Sequence, residues 1–244
     1  MNIRQLIALV RKNIELYFNK GPVIIFGLLF PFFLCLAWIL GRSIPAEHLI
    51  SALIAISVFF SGTAISPVIF PWETREKNLV IALSAPISLW DIIFGVAISS
   101  MIYSIILTLA ISIIFVIGLG ISIILVGWAF IGLVLMSWIS SFIGVLMSAV
   151  PTDRTANIMI ISSLVKFPLV FISGIFIPIN QLSGVLLILA LCSPITYFID
   201  YLYGFFGINT LMLTIDITVL IIWAVALAIL TYLAHKRTIL KRFS

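Results

Sequence analysis

The chain has 244 residues, of which 64% are hydrophobic and only 9% are charged. Soluble domains average roughly 45–50% apolar and about 25% charged residues, so this chain has too few charges to cover a soluble surface. The composition therefore indicates an integral membrane protein. Its apolar runs are long and unbroken rather than alternating segments of about ten residues, which excludes a β-barrel and leaves α-helices as the spanning elements.

The net charge of +5 does not indicate a nucleic-acid partner. The thirteen basic residues gather at the ends of the chain and in short gaps between apolar runs, where membrane proteins keep them. The predicted partner of these segments is the lipid bilayer. Two isolated histidines and two cysteines in apolar surroundings give no metal-ligand pattern, so we expect no metal site.

Residues 1–20 are predicted to form an amphipathic interfacial helix. At about 100° per residue, one arc carries Ile3, Leu6, Ile7, Val10, Ile14, Tyr17 and Phe18. The opposite arc carries Arg4, Arg11, Lys12 and Glu15. A helix of this kind lies in the membrane surface with its basic face toward anionic headgroups. Gly21-Pro22 is expected to end it.

Residues 21–244 are predicted to form a single transmembrane domain with six spans. A bilayer core needs about 20 apolar residues for each helix. The predicted spans are 21–41, 49–71, 92–118, 123–150, 158–178 and 209–234. Residues 92–152 contain no charged side chain and are too many for one crossing, so Gly118-Leu119-Gly120 is the expected turn.

Residues 179–208 are predicted to form a re-entrant pair of half-helices on the extracellular side. The apolar run 185–192 is too short to cross, and Ser193-Pro194 interrupts it. Broken backbone is tolerated at membrane depth only where protein or a water-filled cavity covers it.

The distribution of basic residues fixes the predicted orientation. With six spans, eleven of the thirteen basic residues fall on one side, Arg42 falls on the other, and Lys166 lies within a span. Because basic loops stay on the cytoplasmic side, we expect a multi-pass cell-membrane protein with both termini in the cytoplasm.

The loop 72–91 is the most informative segment between the spans. Leu79 and Leu83 are four residues apart, so a helix there has one apolar face, and Pro86 ends it. Two interpretations stand equal on the loop alone. It is a short amphipathic helix resting on the headgroups, or it is a docking helix for a soluble partner.

Lys166 is the only basic residue deep within a predicted span. It either faces a cavity and meets an anionic substrate group, or extends along the helix to the cytoplasmic headgroups. The second interpretation is favoured, because eight residues separate Lys166 from the cytoplasmic end of the span, about 12 Å.

Hydroxyl residues recur every fourth position in the third span. Ser100, Ser104, Thr108 and Ser112 share one helix face. Small and hydroxyl residues at this spacing allow helices to approach closely, so helix packing is favoured over a polar pore lining.

Several motifs together resemble the permease subunits of type-2 ABC exporters. Glu73-Thr74-Arg75-Glu76 resembles the family's E-x-R-E segment, and the run from Leu79 to Ser88 resembles its L-x-x-x-L-x-x-P-[IV]-S run. Residues 171–178 resemble the F-x-S-G-x-x-x-P stretch, and 193–197 with Gly204 resemble N-P-x-T-Y and a distal glycine. Asn78 and Ser193 depart from the usual glycine and asparagine.

The resemblance implies a half-transporter. Two permeases, as a homodimer or with a related chain, would assemble with two separate ABC ATPase subunits. A coupling helix would seat in a groove of the ATPase and involve Glu73, Arg75, Glu76, Leu79, Leu83 and Pro86. The re-entrant pair would form the extracellular gate, and the candidate pathway or gate residues are Lys166, Pro178, Pro194 and Tyr197.

No G-x-x-x-x-G-K-[ST] phosphate loop occurs in the chain. We therefore expect no cofactor in this chain and no enzyme activity of its own, with ATP and Mg²⁺ bound by the partner ATPase. The predicted function is ATP-driven export of an amphipathic, drug-like or lipid-linked compound.

The alternative is a secondary transporter or channel that works without an ATPase. Such a protein needs ionisable residues within its spans, and only Lys166 and Asp216 qualify. A membrane-bound enzyme is disfavoured, because the sequence shows no cluster of acids, histidines or metal ligands.

Overall fold

A computed structural model describes residues 3–40, 44–119, 128–177 and 179–240. These residues form helices joined by short connections, and no β-strand occurs among them, which confirms the all-α prediction. The α-helices in chain order are α1 Ile3–Tyr17, α2 Gly21–Ile24, α3 Phe30–Ile39, α4 Ala46–Arg75, α5 Asn78–Ser84, α6 Leu89–Leu119, α7 Trp128–Met147, α8 Thr155–Ile172, α9 Gly184–Leu191, α10 Pro194–Gly204 and α11 Leu213–Thr238.

Five of these helices are long and apolar enough to cross a membrane, namely α4, α6, α7, α8 and α11. They correspond to the last five predicted spans. Helix α11 continues past the predicted end, because the basic residues of its last turn are favourably placed near the helix C-terminus. The pair α9 and α10 would add a sixth crossing only if it were one broken span.

The predicted first span is the helical run 21–39, formed by α2, a π-helical turn Ile25–Leu29 and α3. Among the described residues, the apolar helix Ile25–Trp38 within this run is shorter than the five spanning helices. The run lies antiparallel to α4, with Gly27 beside Ala64 and the Phe30 ring 4.7 Å from the Phe60 ring. The π turn comes just before Pro31, which has no N–H to bond to the carbonyl four residues earlier.

Helix α4 is the centre of the bundle. Every residue from Leu49 to Pro71 is buried. Gly62 allows Ser104 of α6 and Ser140 of α7 to approach closely, and the Ser104 hydroxyl donates to the Val58 carbonyl at 2.8 Å. Small residues at helix contacts are typical of membrane bundles.

The bundle has two distinct ends. At one end, which we call the α5 end, the His235 ring of α11 packs on Phe70 of α4, with centroids 4.2 Å apart, and its Nε2 lies 2.9 Å from the Val145 carbonyl of α7. At the other end, the α10 end, Tyr201 packs against Gly132 and the Tyr203 ring lies 4.8 Å from His48. Helices α4, α7 and α11 therefore run parallel.

Helix α1 packs along α6, where Leu9 lies against Gly95, and its residues Leu9, Asn13 and Tyr17 are buried. Ile3 and Ile7 are 70% and 61% exposed, as a membrane-facing surface requires. The prediction that Lys12 belongs to a headgroup-facing arc is wrong, because its side chain turns inward to a carboxylate of α4.

Candidate functional site

The segment that links α4 to α6 reverses the chain at the α5 end of the bundle. Helix α4 ends at Arg75, and Lys77 has a left-handed backbone with φ of 60°. This conformation breaks the helix and allows α5 to start at once at Asn78. Sequence analysis placed the candidate coupling residues here, and the structure brings them together on this segment.

Helix α6 begins at a capping box formed by Ser88 and Asp91. The Ser88 hydroxyl accepts from the Asp91 backbone N–H at 3.1 Å, and the Asp91 carboxylate accepts from the Ser88 N–H at 3.0 Å. The backbone N–H groups of Ser88 and Asp91, which have no acceptor within the helix, thus both have one in the capping box. The exit of the segment is as firmly defined as its entry.

Glu73 is a buried carboxylate that joins α4 to α1. Its Oε1 accepts from Lys12 Nζ at 2.6 Å and from the Tyr17 hydroxyl at 2.7 Å, and the residue is only 5% exposed. The Tyr17 ring also stacks on Trp72, with centroids 5.3 Å apart. Burial raises the pKa of the Tyr17 phenol above its ordinary value, and the Glu73 charge raises it further. Glu73 therefore holds α1 beside the start of α5.

Three other candidates lie at the surface. Arg75, Glu76 and Pro86 are exposed, and the Asn78 amide donates to Glu76 at 3.1 Å. The Pro86 carbonyl accepts from Gln5 of α1 at 3.3 Å. Helix α1 is thus tied to both ends of the linking segment.

Helix α5 has one buried face and one exposed apolar face. Leu79 is 1% exposed and packs inward, and Leu83 is half-buried. Val80 and Ile81 are 47% and 67% exposed. Sequence reasoning missed these two residues because every side chain from Leu79 to Leu83 is apolar, so periodicity alone cannot identify the outer face.

Lys166 is buried within the bundle and does not reach the headgroups. Its ammonium donates to the Thr63 carbonyl at 2.6 Å and lies 6.0 Å from the centre of the Phe26 ring, with the residue 4% exposed. The favoured prediction that it extends to the membrane surface is therefore wrong. Among the described residues, no carboxylate lies within 4.0 Å of this ammonium.

Pro194 and Tyr197 lie at the sharp bend between α9 and α10, where the helices meet at 86°. Pro194 is buried at the start of α10, and the Tyr197 hydroxyl donates to the Leu191 carbonyl at 2.9 Å. The Thr196 hydroxyl donates to the Ala190 carbonyl at 2.6 Å. These bonds hold the bend. Pro178, the fourth candidate for the pathway or gate, lies outside the described residues.

The exit from α10 is fixed by Asp200. Its two carboxylate oxygens accept from the backbone N–H groups of Thr210 and Leu211 at 2.8 and 2.7 Å. Gly204 lets Leu213, the first residue of α11, pack close to α10. Asp200 and Gly204 thus hold the end of α10 beside the start of α11 at the α10 end of the bundle.

A helical bundle with a buried central helix and five helices long and apolar enough to cross a membrane is the architecture of a multi-pass membrane protein. The model of the ABC-2 type transporter family matches residues 4–206, which is most of the chain. The protein belongs to this family and is the permease component of an ABC transporter. Membership implies association with ABC ATPase subunits and the membrane. A comparison with curated proteins found no match.

Proposed function

We propose that the chain forms the translocation pathway of an ATP-driven exporter as a dimer with a second permease copy. Two separate ATPase subunits dock on the α5 end and hold the ATP and Mg²⁺. The transported compound is amphipathic, drug-like or lipid-linked. Family membership and the nearly charge-free spans support this proposal.

The single observation that carries the docking proposal is the exposed apolar surface of α5. Val80 and Ile81 stand out at the end where the basic segments gather, beside the exposed Arg75 and Glu76. An apolar anchor surrounded by charged residues is typical of the centre of a protein interface. The side of the membrane that holds this end is the cytoplasm, by the distribution of basic residues.

In this mechanism, ATP binding closes the two ATPases and draws the two α5 helices together. Glu73 carries the movement to α1 through Lys12 and Tyr17, because these contacts form one hydrogen-bonded unit. The long, buried α4 carries it toward the α10 end, where the bend at Pro194 and Tyr197 serves as the extracellular gate. Lys166 has a structural task at the wall of α4 in this arrangement, since one of its three N–H donors binds the Thr63 carbonyl.

The test is purification of the full chain from its native membrane in mild detergent, with mass spectrometry of co-eluting proteins. We expect a stoichiometric soluble chain that carries a phosphate loop. Ile81→Asp should lower its recovery about tenfold, because a carboxylate would be buried at the centre of the contact. Val150→Asp is the matched control, since Val150 is an aliphatic residue 41% exposed after α7, at the same end of the bundle.

Equal recovery of the ATPase with both variants would remove α5 from the docking site. Transport by liposomes that contain this chain alone would instead support a secondary transporter or channel. In that case the buried Lys166 and Asp216 would be the residues to study next.

A further inference from the structure

Asp216 is a fully buried acid in the first turn of α11. The residue is 0% exposed, and neither of its carboxyl oxygens has a hydrogen-bond partner among the residues that the structure describes. It lies on the helix face that also carries Thr231 and His235, whose side chains contact backbone carbonyls of α7. The side chain of Asp216 is therefore enclosed by the bundle and does not face the lipid.

A second buried acid, Asp200, lies on the helix that packs against this part of α11. At the corner between α10 and α11, Leu213 packs on Gly204. Asp216 follows Leu213 by three residues, and Asp200 is four residues before the glycine. Each acid therefore lies about one helical turn inward from this contact. Asp200 is near enough for its negative charge to act on Asp216, so the two acids share one buried region.

Only one of the two acids has the donors that a buried negative charge needs. The two oxygens of Asp200 accept from the backbone N–H groups of Thr210 and Leu211. Asp216 has no such donor, and among the described residues no basic side chain lies within 4.0 Å of either acid. An ionised carboxylate without a partner in an apolar interior costs far more than a neutral carboxyl group, and a second negative charge nearby adds to that cost.

The elements packed against Asp216 offer it no positive charge within the described part of the chain. Helix α7 and residues 205–212 contain no ionisable side chain. Helix α6 meets α11 at the α5 end, where Trp90 stacks on Tyr232. Besides Asp200, the ionisable side chains of α10 are three tyrosines in other contacts, Tyr197 with the Leu191 carbonyl, Tyr201 with Gly132 and Tyr203 with His48.

We infer that Asp216 is a proton-binding site that is filled when the corner between α10 and α11 is closed. The enclosed carboxyl group holds the proton in the structure described. When the corner opens, water reaches the group, its O–H bond breaks and the proton passes to water. Because closing takes up one proton, a rise in pH favours the open corner. The inference does not rest on the proposed docking of an ATPase or on the transported compound.

Infrared spectroscopy of the full chain in dodecylmaltoside, a detergent without carbonyl groups, tests the protonation state. At neutral pH the unchanged chain should show the C=O stretching band of a neutral carboxyl group, and ¹³C-labelled aspartate should shift it. Asp216→Asn should remove the band, whereas Asp153→Asn, the same chemical change at an exposed position, should keep it. No band, or a band that labelled aspartate does not shift, would overturn the inference without any variant. A band that persists in Asp216→Asn would overturn it as well.

Hydrogen exchange of residues 210–216 tests the coupling of this proton to the corner. The observed rate divided by the intrinsic rate at each pH gives the opening equilibrium. With one proton taken up on closing, this equilibrium should shift toward the open corner by up to about tenfold for each pH unit above the ordinary aspartate pKa of about 3.9. Asp153→Asn should behave in the same way. In Asp216→Asn, whose amide has nearly the shape of the neutral acid, the equilibrium should not change with pH, and an unchanged pH dependence there would overturn the coupling.

Discussion

The ammonium of Lys166 in α8 lies 2.6 Å from the carbonyl oxygen of Thr63 in α4. The sequence explains why this carbonyl has no donor within its own helix. Pro67 stands four residues after Thr63 and has no N–H to complete the helical bond. Lys166 therefore supplies the donor that proline removes, in the middle of an otherwise buried helix.

We predict that the cost of Lys166→Met depends on residue 67. In the unchanged chain the substitution leaves the Thr63 carbonyl without its donor, whereas in a Pro67→Ala background the alanine N–H restores the helical bond. The free-energy cost of Lys166→Met should be smaller by about 1 kcal/mol in that background. Reversible unfolding in mixed micelles measures the double-mutant cycle. An additive cycle would show that the two residues do not share this carbonyl.

Glu73→Gln should lower the free energy of unfolding by about 2 kcal/mol, because it removes the buried negative charge shared by Lys12 and Tyr17. The matched control is Glu15→Gln, the same chemical change in a pair with Arg11 whose side chains are 79% and 59% exposed. Exposed ion pairs on a helix contribute little to stability. Hydrogen exchange should show faster opening of α1 in Glu73→Gln only, and similar exchange in both variants would contradict the anchoring of α1.

Alkaline pH should release α1. Burial raises the pKa of Tyr17 in the folded protein, whereas an unfolded tyrosine ionises near pH 10. The stabilisation is complete below that pH and is lost as the pH rises toward the folded pKa, because only the unfolded state releases the proton. Hydrogen exchange of α1 between pH 9 and pH 11 measures this loss. Tyr17→Phe should be less stable at neutral pH and should show a smaller change over the same range.

Gly62→Ala should separate α4 from α7. A Cβ at residue 62 would lie 2.7 Å from the Ser140 Cβ, which forces the two helices apart. Overpacking of this kind costs about 1–3 kcal/mol. Gly21→Ala is the control, since nothing lies within 4 Å of a Cβ there. Thermal unfolding in detergent should show a lower midpoint for Gly62→Ala alone, and an unchanged midpoint would mean that the helices adjust without cost.

The sequence predicted the helices well because long apolar runs admit few alternatives within a membrane. Five spans fall where the hydropathy places them, and the break at Ser193-Pro194 is an actual bend. The sequence is less informative about which side of a helix faces the protein interior. In α5, five consecutive apolar residues hide which side is buried, so the sequence places Leu79 on the docking face although Leu79 packs inward, and it does not single out the exposed Ile81.

Lys166 shows a second kind of limit. Its distance from the end of the span favours contact between its ammonium and the headgroups. In the structure the ammonium instead binds a backbone carbonyl of another helix. Pro67 gave the signal that a carbonyl in α4 was free, and only the packing of α8 on α4 reveals that the lysine reaches it. A proline within one span is thus a reason to look for an unpaired donor in another.

The burial of α4 has a consequence for life in membranes of different thickness. The apolar stretch of α4 is entirely covered by other helices, whereas only 22% of the corresponding stretches of α8 and α11 is covered. Hydrophobic mismatch acts on the surfaces that touch acyl chains, and it is relieved by tilt. In a thicker or thinner bilayer, α8 and α11 would therefore change their tilt around α4, which the lipid does not touch.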